Sequence, residues 1–246
     1  EEMAKAGAAA FSDDGDYIAS DGLMRQVLER AKALGRPVLS HCEDKAVSGD
    51  GVMHEGTVSR ELDVPGIPAE AEEAAAARDI ALCELTGAAL HIQHVSTAGT
   101  VEMIRQAKAR GIHITAEAAP HHFTLTDEDA RELDPNLKMN PPLRTKGDMD
   151  AVRKGLADGT IDCIASDHAP HTAEAKGKGF IDAPFGIIGM ESFLPVIITE
   201  LVDTGVLSLP EAVKRVTINP AKILGIDRGT LATDTQADIT IFDPDE

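Results

Sequence analysis

Basic residues are scarce: 23 Lys and Arg stand against 42 Asp and Glu, for a formal charge of -19. That balance argues against non-specific binding of nucleic acid or of an anionic membrane surface. It leaves a small anionic substrate open, because such a ligand feels a local field. Long apolar runs are also missing. None approaches the roughly 20 residues of a spanning helix, and no basic stretch precedes an apolar one at the start, so the cytosol is the default compartment. Only three cysteines occur, Cys42, Cys83 and Cys163, an odd set without metal-type spacing that reads as reduced, buried thiols. Glu1 stands where an initiator methionine would, and the chain is expected to begin downstream of its gene's start. What remains is 246 residues with 43% hydrophobic content, enough for one substantial core.

The recurring pattern is a short apolar strand, a polar residue at its C-terminal end and then an amphipathic helix, the signature of parallel β/α units. Strands are expected at 7–11, 37–41, 89–94, 113–117 and 161–166, and helices at 22–34, 69–85, 100–110 and 147–157. Gly35 and Gly111 occupy C′ positions. Two more helices are expected near 189–204 and 208–218, the second with Ser208 as N-cap and Pro210 in its first turn. Two long irregular stretches, 43–68 and 168–189, follow strands, where sites in β/α barrels are built. The expected fold class is α/β: a (β/α)8 TIM-type barrel, incomplete here, since a closed barrel needs eight strands and only five are legible. Residues 1–228 would form the partial barrel and 229–246 the start of a β appendage, with Ala237 to Phe242 alternating as its strand.

Four polar residues fall at strand ends: Asp14, His41, His94 and Asp167. A lone His there is more often a hydrogen-bonded core residue than a ligand, and a lone Asp more often a cap. Four at equivalent ends converge on one rim, and two imidazoles with two carboxylates suit zinc or a similar divalent ion. Asp167 opens the run Asp167-His-Ala-Pro-His171, from where its carboxylate could both ligate and move a proton. His171 reads equally well as a solvated loop residue. The prolines of Met139-Asn-Pro-Pro-Leu-Arg144 stiffen a segment able to present Asn140, although two prolines more often just make a loop. Ala119-Pro-His-His-Phe123 reads as support for the site or as packing, His54-Glu55-Gly56 as a turn, and Cys42 as a bystander.

Phe11-Ser-Asp-Asp-Gly15, Ser40-His-Cys-Glu-Asp44, His91-Ile-Gln-His-Val-Ser-Thr97, Met139-Asn-Pro-Pro-Leu-Arg144 and Ser166-Asp-His-Ala-Pro-His171 together resemble the type I dihydroorotases of the amidohydrolase superfamily. The resemblance runs from about Phe11 to the C-terminus. It implies Asp14 in the bridging position filled by a carbamylated lysine in many relatives, His41 and His94 as the imidazoles of one zinc, and Asp167 as ligand and general acid and base of a one- or two-zinc centre. It also implies Asn140, His171 and the Phe185-Gly186 turn as substrate contacts, with residues 172–183 as a flap. The implied reaction interconverts N-carbamoyl-L-aspartate and (S)-dihydroorotate in pyrimidine biosynthesis. A homo-oligomer is expected, with association with aspartate carbamoyltransferase. A non-catalytic scaffold of that transferase and an allantoinase- or hydantoinase-type cyclic amidase are the alternatives. Retention of all four ligands argues against the first, and Asp14, where hydantoinases and allantoinases typically have lysine, against the second. The family's first-strand His-x-His and the Arg after it have no counterpart here, so the chain alone is expected to be an impaired enzyme. Asp234 replaces the second glycine of a C-terminal family turn; aspartate tolerates positive φ, so the turn is expected to survive.

Overall fold

The computed structural model describes residues 1–243. Five strands form one parallel sheet: β1 (Phe11–Ser12), β2 (Val38–Ser40), β5 (Leu90–Ile92), β6 (Ile114–Ala118) and β7 (Cys163–Ile164), in the order β1-β2-β5-β6-β7. Two further strands, β3 (Met53–His54) and β4 (Gly66–Ile67), pair in parallel as a separate ribbon in the loop after β2. The register of the main sheet places Phe11 beside Val38, Val38 beside Leu90, Leu90 beside Ile114, and Glu117 beside Cys163. Successive strands are therefore neighbours with helical crossovers, as the alternating sequence pattern requires.

The crossover helices are Asp21–Ala33, Ala69–Thr86, Ala98–Ala109 and Lys146–Asp158. Each starts for a local reason. Ser20 and Thr97 accept from backbone N–H groups three residues on, Thr145 and Asp148 form a capping box, and Pro68 precedes the alanine-rich second helix. Gly35 and Gly111 follow helix ends at φ 64° and 79°, a region that costs glycine little. The helices bury Met24, Leu28, Ala75, Ile80, Val101, Ile104, Val152 and Leu156 against Val38, Leu90, Ile92, Ile114, Ala116 and Ile164 of the strands. Each fully buried Leu or Ile contributes roughly 1.5–3 kcal/mol. Alternate strand residues His91, Thr115 and Glu117 point to the other face, where His91 bonds both Thr115 (2.8 Å) and Glu117 (3.1 Å).

After β7 the chain forms the Phe193–Ile197 helix, runs into a π-helical turn, Ile198–Val202, and continues to Leu209–Val216, which Ser208 and Glu211 cap as a box. Asp234 adopts φ 65°, as its turn requires. Ala237 to Phe242 forms no strand, and Ile239 and Ile241 are exposed. Among the described residues no strand lies beside it, so the alternating pattern has nothing there to pair with. Pro244 and the residues after it, the end of the expected appendage, lie outside the described residues. Among the described residues the sheet stays open at β1 and β7 and does not close into a barrel. No helix there is long and apolar enough to cross a membrane.

Candidate metal centre

Parallel strands deliver their C-terminal ends to one rim. β1 leads to Asp13 and Asp14, β2 to His41, β5 to His94 and β7 to Asp167. The two neighbouring aspartates differ in use. Asp13 straps the β1 end to its neighbour, accepting from the His41 backbone N–H (2.9 Å) and from that of Ile18 (3.2 Å). Asp14 turns into the site, its Oδ1 3.2 Å from His41 Nδ1 and 3.7 Å from His94 Nε2. The two imidazoles meet edge to face, with Nδ1 of His41 2.9 Å from Nε2 of His94. Both histidines are buried.

This trio draws positive charge. Burial alone would depress the His41 imidazole, but its bonds to Asp14 and Glu43 outweigh that and lift it to about 9. The Asp14 carboxyl is held far below the ordinary carboxylate range, first by His41 and then by His94. His41 Nε2 lies 3.1 Å from Glu43 Oε2. With that N–H donated to Glu43, His41 offers a lone pair at Nδ1. His94 Nδ1 is buried without a hydrogen-bond partner, which leaves the contacts of His94 on its Nε2 side. Three donor atoms at 2.9, 3.2 and 3.7 Å bracket the ~3.3 Å between ligands of a tetrahedral zinc ion. The residues fit a divalent ion.

Asp167 stands outside the close trio, at the end of β7, with β6 between it and the strand that leads to His94. Its Oδ2 is 3.5 Å from His121 Nε2, a buried nitrogen with no hydrogen-bond partner. Burial raises the affinity of Asp167 for a proton, only partly offset by His94, and burial lowers His121 to about 3. His121 therefore faces Asp167 as a neutral ring. His94 and Asp167 both adopt positive φ, 33° and 47°. Such non-glycine conformations cost about 1–3 kcal/mol each and persist where the surroundings over-determine them.

Asn140 reaches the same rim and donates from Nδ2 to Glu43 Oε2 at 2.7 Å. His171 Nε2 donates to the Phe185 carbonyl at 2.8 Å, and the Gly186 N–H donates to Lys138 O at 2.9 Å. A Cβ on Gly186 would sit 2.5 Å from Ala169 O, and its φ is 144°, so only glycine fits this turn. Within 172–183 the flap segment carries a short helix, Ala173–Lys176, and Lys176 Nζ donates to the carbonyls of Pro135, Lys138 and Pro184.

Several residues that shape the site have no motif of their own. Glu72 accepts from the backbone N–H groups of Ser96 and Thr97 (3.1 Å each) and from both their hydroxyls. It thereby clamps the loop that leaves His94. Asp79, two turns along the same helix, accepts from Ser40 at 2.6 Å, beside His41. Two buried carboxylates on the apolar face of an alanine-rich helix are the signal that could have revealed them. Arg144 bonds Ser96 (3.1 Å), Ile67 O (2.8 Å) and His54 Nδ1 (3.2 Å). His54 is thus the buried end of β3, and only Glu55-Gly56 forms the expected turn. In the Ala119–Phe123 segment His121 faces Asp167, while His122 bonds Pro141 O (2.9 Å) and Phe123 packs in the core. The three thiols are buried, and burial pushes Cys42 up.

The family model described as "Amidohydrolase family" matches residues 2–246. A dihydroorotase of Pelotomaculum thermopropionicum is 58% identical over 244 residues, 99% of this chain and 57% of that protein. A dihydroorotase of Geobacter metallireducens is 53% identical over 243 residues, with the same two coverages. The chain thus spans just over half the length of the curated relatives it matches. Among solved structures, the L-hydantoinase (dihydropyrimidinase) from Arthrobacter aurescens superposes with a TM-score of 0.83 at 29% identity, covering 96% of this chain and 56% of that one. A D-hydantoinase from Thermus sp. gives 0.81 at 27%, covering 96% and 55%.

Proposed function

The chain belongs to the amidohydrolase family, and from that premise we propose that it carries the metal-binding and proton-moving part of a dihydroorotase, which interconverts N-carbamoyl-L-aspartate and (S)-dihydroorotate. The carrying observation is the convergence of Asp14, His41 and His94 at the ends of three neighbouring strands, with Asp167 on the same rim at the end of β7. Identities of 51–58% to proteins named dihydroorotase, against 25–29% to the hydantoinase structures, favour this substrate. So does a carboxylate at position 14. The open sheet is proposed to be the later strands of an eight-stranded barrel, with 229–246 leading into a separate appendage.

Asp14, His41 and His94 would hold a divalent ion, zinc suiting their mixed donors, with Asp167 as a further ligand. When bound, the ion polarises the ring carbonyl and lowers the pKa of water. Asp167 takes a proton from the attacking water and delivers it to the ring nitrogen as the C–N bond breaks. In the other direction it takes the proton from the ureido nitrogen as the C–N bond forms and delivers it to the departing oxygen, which leaves as water when the C–O bond breaks. Burial, which raises its proton affinity, brings it closer to that task. Asn140 and the Phe185-Gly186 turn, braced by His171, would orient the ring. No His-x-His occurs in the chain, so the isolated chain is proposed to be a poor catalyst.

The test is turnover by a longer protein that contains this chain together with an upstream His-x-His strand. Ring closure of carbamoyl aspartate, lost on chelation and restored by zinc, is expected, with allantoin and hydantoin turned over far more slowly. Preference for hydantoin, or metal-independent turnover, would overturn the reading.

A further inference from the structure

The Glu43 carboxylate lies between two groups that the proposed reaction uses. It is buried, and its Oε2 meets His41 Nε2 at 3.1 Å and Asn140 Nδ2 at 2.7 Å. Lys45 Nζ approaches the same oxygen. One carboxylate oxygen offers about two lone-pair directions, so three donors compete for it. The backbone around Glu43 is fixed: the Asp44 N–H donates to Ala71 O at 2.8 Å, and the Asp44 side chain caps the Lys45–Ser48 helix. Asn140 is held on the other side by its proline-stiffened segment, whose Pro141 carbonyl accepts from His122 Nε2. Neither partner can follow the other without breaking its own anchors.

We infer that Glu43 is a positioning residue that couples metal binding at His41 to substrate binding at Asn140. When Asn140 bonds to Glu43 it takes a share of the oxygen that orients His41. When Asn140 turns its amide to substrate, that share returns to the His41 N–H, and Nδ1 becomes a better donor. By linkage, substrate and metal each raise the other's affinity. The inference rests on the reading of His41 as a metal ligand and Asn140 as a substrate contact, and it adds the residue that joins them.

Zinc affinity of the 246-residue chain, measured by competition with a chromophoric chelator, tests it without recourse to activity. Glu43→Gln is expected to weaken zinc about 10–100-fold. Asn140→Ser is expected to tighten zinc by about threefold or more in the wild-type background and to change nothing in the Glu43→Gln background. Additive effects, or weaker zinc in Asn140→Ser, overturn the coupling. Glu43→Asp keeps the charge but withdraws the oxygen, so wild-type affinity in that variant would show long-range charge rather than contact and also overturn it. As a spectroscopic signature, the His41 Nε2–H proton signal should be present in zinc-loaded wild type and Asn140→Ser and lost in Glu43→Gln, with the urea midpoint reporting the fold separately. A wild-type chain that takes up no zinc defeats the metal-centre reading itself. A chain that binds zinc equally with and without Glu43 defeats the coupling alone.

Discussion

Asp13 and Asp14 are adjacent carboxylates with different work, one on backbone N–H groups and one on imidazoles. Chemistry at Asp167 belongs to the same residue scale. In a longer protein with the proposed ring-closing activity, Asp167→Asn keeps the shape but cannot take a proton, and kcat should fall by about 10²–10⁴; an unchanged kcat would assign the proton transfer elsewhere. His54 offers a test independent of metal. Burial first, then the Arg144 guanidinium, lowers it from 6.5 to about 4. Between those values the unfolded chain binds the proton and the folded one does not, so stability rises with pH. It should be fully present above about pH 6.5 and fall as pH drops towards 4, by up to about 3 kcal/mol. Urea midpoints at pH 7 and pH 4.5 should diverge more in wild type than in His54→Gln.

At the scale of elements, the Ala69–Thr86 helix holds two strand ends at once, through Asp79 to Ser40 and Glu72 to Ser96 and Thr97. Glu72→Ala would remove the carboxylate 4.0 Å from the buried Arg144 guanidinium and orphan two backbone donors, a loss of about 3–5 kcal/mol in urea unfolding. The β3–β4 ribbon is equally specific: a Cβ on Gly66 would lie 2.5 Å from Glu55 Cα. Gly66→Ala should cost about 1–3 kcal/mol and loosen the Ile67 carbonyl on which Arg144 rests. Amide exchange at Ile67 and Arg144 would show it. The five strand–helix units were legible because their apolar periodicity is strong, and Ser208 and Gly35 mark boundaries by chemistry that acts within one turn. The ribbon was not legible: the helix between its two short strands has only six residues, too few to show a periodicity, and their pairing depends on glycine at 66. Nor was the clamp read from the sequence, since Glu72 has no motif of its own and its partners Ser96 and Thr97 lie 24 and 25 residues on. For the site, the strand-end rule brought out Asp14, His41, His94 and Asp167. Glu43 and His121 sit within quoted motifs, but the partners that bring out their place in the site, Asn140 and Asp167, lie far along the chain.

For the molecule as a whole, the open sheet and the charge of -19 oppose each other. Edge strands β1 and β7 invite pairing with another chain, while like charge keeps copies apart at low ionic strength. Sedimentation velocity of the isolated chain should show growing self-association as salt rises from about 0.05 to 0.5 M, where the Debye length shrinks to a few ångströms. A chain that stays monomeric throughout would mean that the edges are covered in solution.

The helix that reaches both strand ends also sets a rule for transplantation. A designer who copied only the two imidazoles and the carboxylate into another scaffold would copy the contacts without the helix that braces the loops leaving β2 and β5. The smallest portable unit is β1 together with that pair of strands and the helix between them, and grafts should succeed or fail according to whether residues 72 and 79 travel with it.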